Sequence, residues 1–230
     1  MMSRRFRPDQ WVLVGGLMVM VVGREHGARA PRAEGTKDAD VVVDVVAVPS
    51  LLGSIANFLV ADNHYTLADT IGTGDRPARC SFVANSAQID VLCPDDVSEG
   101  MLDVGDDLRS LAIPGGRRAL QTARPVELLF SDSYPPAEIH VPDLLGAFVV
   151  KAAAAVDPRT ADSPRHIQDV AFLLTMFDDP RAETNRLLPA DWEVLQAIAP
   201  QLEDDGSAAW RYLDPDLRDL ARSAYRLFFS

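Results

Sequence analysis

"GTKDADVVVDVV", residues 35–46, places Asp38 and Asp40 one residue apart immediately before a valine-rich run. So many β-branched residues predict a strand, here Asp38 to Val48. Unbroken valines predict that it is buried on both faces. Strand side chains alternate, so Asp38 and Asp40 share one face while Ala39, Val41 and Val43 share the other. Two like charges at that spacing repel unless a cation lies between them. An Asp-x-Asp pair also occurs at ordinary loop-to-strand junctions, so the flanking chain decides its meaning. Asp44 shares the face but lies further along, and reads as a structural or edge residue.

On the N-terminal side, Val12 to Val14 reads as a short buried strand ending at Gly15-Gly16, and Leu17 to Arg24 as a helix that Gly27 stops. The same segment imitates a secretory signal peptide, with a basic start, an apolar stretch and an Ala-Arg-Ala end. That stretch is too short for a transmembrane helix. Reading it as a signal would discard the glycine pair, which fits the rest of the chain.

On the C-terminal side, residues 28–37 read as a loop, and Pro49-Ser50 starts a helix through about Ala61 with Ser50 as cap. Pro77 to Val83 and Ala87 to Cys93 read as strands joined by a tight turn at Asn85-Ser86. Val126 to Phe130 is a further strand. From Pro142 onward helical periodicity dominates, over 142–156, 164–177, 190–199 and 215–228. The predicted fold class is therefore α+β. An α/β-type core with a mixed sheet, residues 1–135, precedes a helical C-terminal domain, residues 136–230. Trp192, Trp210, Tyr212, Phe228 and Phe229 are expected in the core of the helical part.

Composition narrows the function classes. The chain has 230 residues, 47% hydrophobic and 24% charged, which is an ordinary globular composition. A formal charge of −12 argues against a broad basic face for coating nucleic acid, though not against a local patch. The 2 cysteines, Cys80 and Cys93, are too few for a disulfide scaffold and are expected as buried thiols, with a single bridge across their hairpin left open.

A third acid interrupts the apolar strand "AQIDVLCP", residues 87–94. Burying Asp90 without a partner is expensive, so it needs a cation or several hydrogen-bond donors. Asp38, Asp40 and Asp90 converging from adjacent strands would suit one or two Mg²⁺ ions, or Mn²⁺ in their place. Such ions would hold a nucleotide triphosphate and activate an attacking hydroxyl. Gly15 and Gly16, between strand and helix, would let backbone amides approach the phosphates.

The order of strand, Gly-Gly, helix, Asp-x-Asp strand and later lone Asp resembles the DNA polymerase β-like nucleotidyltransferase superfamily. More narrowly, "VGGLMVM", "TKDADVVVDV", "QIDVLCPDD", "KAAAAVDPR" and "RHIQDVAFLL", within residues 11 to 178, resemble the AbiEii/MenT-type nucleotidyltransferases, the toxins of abortive-infection toxin–antitoxin systems. The resemblance implies that Asp38, Asp40 and Asp90 are catalytic metal ligands and that a nucleotide passes from an NTP to an acceptor such as tRNA. It also implies a cognate antitoxin and a cytoplasmic location. The chain departs from the family pattern at Arg165, where a lysine is more usual, and no arginine directly precedes Thr36.

Lys151 is the only ionisable residue between Asp143 and Asp157. It shares a helical face with Leu144 and Phe148, and there it either snorkels to water or meets an anion. The resemblance implies a contact with the nucleotide. Arg165 and Asp169, four apart on the next helix, read as a surface ion pair. Alternatively, Asp169 orients Lys151 or the nucleotide. Arg117, Arg118 and Arg124 form the best local basic patch and could hold the phosphates of an RNA acceptor, although a solvated loop reads equally well. His26, His64, His140 and His166 form no metal-ligand spacing. Two further functions stay open beside RNA modification: transfer to a small hydroxylated molecule, which the acidic charge favours, and an inactive binding module of the same fold.

Overall fold

The computed structural model describes residues 2–28, 38–68, 78–104, 108–129, 135–159 and 163–229. Residues 29–37 of the expected 28–37 loop, with Lys37, and the strand ends at Pro77 and Phe130 lie outside the described residues.

In chain order, a short helix α1 (Met2–Arg5) leads into β1 (Trp11–Val14), α2 (Gly15–Glu25), β2 (Asp38–Val43) and α3 (Leu51–Asn57), which runs on into a wider turn to Asp62. Then come β3 (Thr66–Leu67), β4 (Ser81–Ala84), β5 (Ala87–Pro94), α4 (Glu99–Leu102), β6 (Asp103–Val104), β7 (Leu108–Arg109), β8 (Ala112–Ile113), α5 (Gly116–Gln121), β9 (Ala123–Leu128) and β10 (Ala137–Pro142). Helices α6 (Leu144–Val156), α7 (Ser163–Leu174), α8 (Pro180–Thr184), α9 (Pro189–Glu203) and α10 (Pro215–Phe228) complete the chain.

The main sheet is mixed, in the order β1-β2-β5-β4-β3, with β8 joining the end of β5. Strands β2 and β5 run parallel at its centre, while β1 and β4 flank them antiparallel. The predicted α+β class is therefore the observed one. Burial follows the valines: Val41, Val42 and Val43 are at most 2% exposed, as are Val12 and Val14 on β1. The apolar N-terminal stretch thus serves as an edge strand and as a helix that buries Met18, Val19 and Val22 against the sheet.

Strand β2 ends at Val43, earlier than the valine run predicts. The Asp44 carboxylate accepts a hydrogen bond from Ala47 N at 3.1 Å, and Val48 N donates to Asp44 O at 3.0 Å. A short carboxylate capping its own turn offers the backbone an alternative to the ladder. Ser50 makes no side-chain cap to α3. The hairpin between β4 and β5 turns at Asn85, whose φ of 53° suits an asparagine.

Helix α6 is apolar nearly all round and accordingly buried, from Leu145 to Ala155. Its first turn is capped by Asp143, which accepts from Gly146 N at 2.8 Å. Phe148 on α6 meets Phe177 and Phe228 at centroid distances of 5.6 and 5.4 Å. Trp210 and Phe228 are 1% and 2% exposed, but Tyr212 is 55% exposed and so stands outside the expected core. One contiguous cluster of buried side chains contains residues of both the sheet and the C-terminal helices. Strand β10, on the C-terminal side of the expected boundary, pairs with β9 on the other side. Cys80 and Cys93 are free and buried. Among the described residues no helix is long and apolar enough to cross a membrane.

Candidate active site

The parallel register of β2 and β5 puts Asp40 directly beside Asp90, and Asp38 beside Gln88. Register partners project from the same face of a sheet, so Asp40 and Asp90 stand side by side on one surface. On the other flank of Asp40 its partner is Val14, the last residue of β1. Gly15 then turns the chain into α2 with a φ of +68°, a conformation L side chains rarely adopt. A Cβ on Gly15 would fall 1.8 Å from Asp40 Oδ2. The glycine therefore serves both the turn and the close approach of helix start to carboxylate. No side chain caps α2, so its first amides have no side-chain acceptor from the capping position.

Burial pushes the Asp40 carboxyl up to about 6, and the neighbouring Asp90 charge adds to the rise. The positive charge of Lys151 opposes it, Asp38 raises it further, and a hydrogen bond between the Asp40 and Asp90 carboxyls does the same. Asp90 Oδ1 also accepts from Gln88 Nε2 at 2.9 Å. Asp38 itself is exposed at the start of the strand.

Lys151 is 3% exposed, and its Nζ lies 2.9 Å from Asp169 Oδ2 across the contact of α6 with α7. A buried ammonium needs such a partner. The lysine is thus held inside the protein rather than snorkelling to water. Lys151, Gly15 and Asp40 line a single cavity of about 150 Å³, with Leu92 and Ile113 among its apolar walls. Gly16 follows as the second residue of α2.

Two further polar residues line this cavity, Asp157 and His166, which the sequence reading did not select. Burial alone would raise the Asp157 carboxyl, but the hydrogen bonds and charge of Arg159, with His166, outweigh it and hold the group below the usual range. A signal existed for His166, which lies three residues before Asp169 on the same helix, a spacing that shares a face.

The three arginines do not form a free patch. Arg117 Nε donates to Asp96 Oδ2 at 2.7 Å, and Arg118 Nε lies 3.1 Å from the buried Asp191. Arg124 makes a two-pronged bond to Glu25 at 2.7 and 2.6 Å. Arg117 and Arg118 lie on α5 and Arg124 on β9. A phosphate acceptor would have to compete with these carboxylates.

Among the described residues no three His, Cys, Asp or Glu side chains are gathered as a ready-made metal cage. The donor set still fits a hard divalent cation. Magnesium is commonly held by only one or two carboxylates together with substrate phosphates and water, and Asp40 with Asp90 supplies such a pair. A carboxyl lifted to about 6 by burial, with a neighbouring acid adding to the rise, is a group that a cation would relieve. Compared with protein-family models and with curated proteins, the chain matches none.

Proposed function

We propose that the protein is a metal-dependent nucleotidyltransferase that moves a nucleotide from an NTP to an acceptor hydroxyl. The observation that carries this reading is Asp40, which has Asp90 beside it across the parallel strands, lies against the helix start at Gly15 and shares a cavity with Lys151. Mg²⁺, or Mn²⁺ in its place, would be held by Asp40 and Asp90, with Asp38 able to join from the strand start. The ion would supply charge neutralisation and polarisation of the phosphate. The amides following Gly15 would meet phosphate oxygens. Lys151, oriented by Asp169, would neutralise the pyrophosphate as it leaves. The acceptor oxygen attacks the α-phosphorus, the bond to pyrophosphate breaks, and the hydroxyl proton passes to Asp90.

The resemblance favours RNA, tRNA in particular, as acceptor, in a cytoplasmic toxin restrained by an antitoxin. The net charge of −12 and the pairing of Arg117, Arg118 and Arg124 with carboxylates favour the second reading, transfer to a small hydroxylated molecule. Incubation with each α-labelled NTP and Mg²⁺, with total RNA in one arm and a low-molecular-weight cell extract in the other, tests both. Label on RNA supports the first reading, and label on a small product supports the second. Absence of label from every NTP and acceptor would leave the inactive binding module.

A further inference from the structure

Ser81 opens β4 as the register partner of Asp90, so Ser81, Asp90 and Asp40 form one transverse row across three adjacent strands. Directly opposed residues of an antiparallel pair project to the same face with Cβ atoms about 4.5–5.5 Å apart. A serine hydroxyl in that position is within hydrogen-bond reach of the aspartate beside it. Yet Ser81 is 4% exposed, and its Oγ is buried with no hydrogen-bond partner. A hydroxyl shielded from water and unpaired is a cost to the fold. Among the described residues the other buried serine shows the ordinary outcome, since Ser110 Oγ donates to Val91 O at 2.8 Å. A buried polar group left unpaired in a native fold calls for an explanation, and a bound ion nearby is one.

We infer that Ser81 is a positioning residue of the proposed cation site: with a divalent cation held between Asp40 and Asp90, its hydroxyl donates to the Asp90 carboxylate and fixes that carboxylate's orientation. The inference rests on the nucleotidyltransferase reading for the cation, and on the sheet register and the unpaired hydroxyl for the residue. Gln88 supports Asp90 from its own strand at Oδ1, and Ser81, the register partner of Asp90, would support it from the neighbouring one. Donors of this kind, outside the ligands themselves, commonly govern metal affinity.

The test is Mn²⁺ binding to the full chain without nucleotide, followed by electron paramagnetic resonance, together with thermal unfolding in EDTA. Wild type, Ser81→Ala and Ser81→Thr are compared. Ser81→Ala is expected to weaken Mn²⁺ binding about tenfold or more. In EDTA it should unfold at the same temperature as wild type or higher, because it discards an unpaired hydroxyl. Ser81→Thr retains the hydroxyl and should bind close to wild type. A purely structural serine would instead lower stability in EDTA and leave Mn²⁺ affinity alone. If wild type binds Mn²⁺ and Ser81→Ala binds it equally well, the assignment of Ser81 falls and the cation site stands. If wild type binds no Mn²⁺, the cation site falls and takes this assignment with it.

Discussion

Oδ2 of Asp40 occupies the space where any side chain on Gly15 would begin, 1.8 Å from the position of its Cβ. Helix start and carboxylate are thereby locked together, and the glycine cannot be replaced without moving the acid. Gly15→Ala is expected to cost about 1–3 kcal/mol from its left-handed backbone alone, with the clash adding to that. Transfer activity should be lost even where the variant still folds. Chemical unfolding and a nucleotide-transfer assay on the same preparation check this, and an active Gly15→Ala would contradict it.

The raised Asp40 carboxyl makes stability depend on pH in the absence of metal. Its folded value, about 6, lies above the usual 3.8. The protonated group's contribution is therefore complete below 3.8 and is lost as pH rises through 6. In EDTA, Asp40→Asn should match wild type near pH 4 and become the more stable of the two by pH 7.5. Saturating Mg²⁺ should reverse that order. Unfolding curves at several pH values, read as the difference between the two proteins, decide it; a difference that does not change with pH would count against the geometry.

Lys151 and Asp169 form a buried pair, and loss of the aspartate leaves the ammonium inside the protein without that carboxylate. Asp169→Ala is expected to destabilise the protein by about 3–5 kcal/mol, the usual cost of breaking a buried ion pair. The double variant Lys151→Met/Asp169→Leu should recover much of that stability without recovering activity. Recovery of both would assign the lysine a structural role only.

The thiols report on burial rather than chemistry. Burial pushes Cys80 up to about 12, with the Asp90 charge assisting, and burial likewise raises Cys93. Neither should react with a thiol reagent in the folded protein at pH 8. Both should react on unfolding, and mass spectrometry of alkylated protein counts the modified sites. Prompt labelling of the native chain would show that the sheet opens.

What could be read from the sequence was what local pattern records. The period-2 and valine-rich runs announced the central strands, and the 3.6 periodicity announced α6, α7, α9 and α10. The lone acid in an apolar strand and the lone lysine in an apolar helix stood out because burying a charge demands a reason. Partner choice over long distance was not legible. Arg124 and Glu25 are 99 residues apart, and nothing near either one announces the other. The same holds for Arg118 with Asp191 and for β9 with β10, whose pairing crosses the expected boundary. The end of β2 is not legible in the strand period, because Asp44 keeps that period while its carboxylate caps a turn. Asp157 has no signature in its own helix, because the cavity wall is assembled from two, whereas His166 is legible only through its three-residue spacing from Asp169.

The central claim is that Asp40 and Asp90, side by side across the parallel strands, carry out the transfer. The most direct measurement is incorporation of label from α-labelled NTPs by wild type, Asp40→Asn and Asp90→Asn, with circular dichroism showing that each is folded. The account predicts Mg²⁺-dependent labelling of an acceptor by wild type and none by either variant. Undiminished labelling by a folded Asp90→Asn would contradict it.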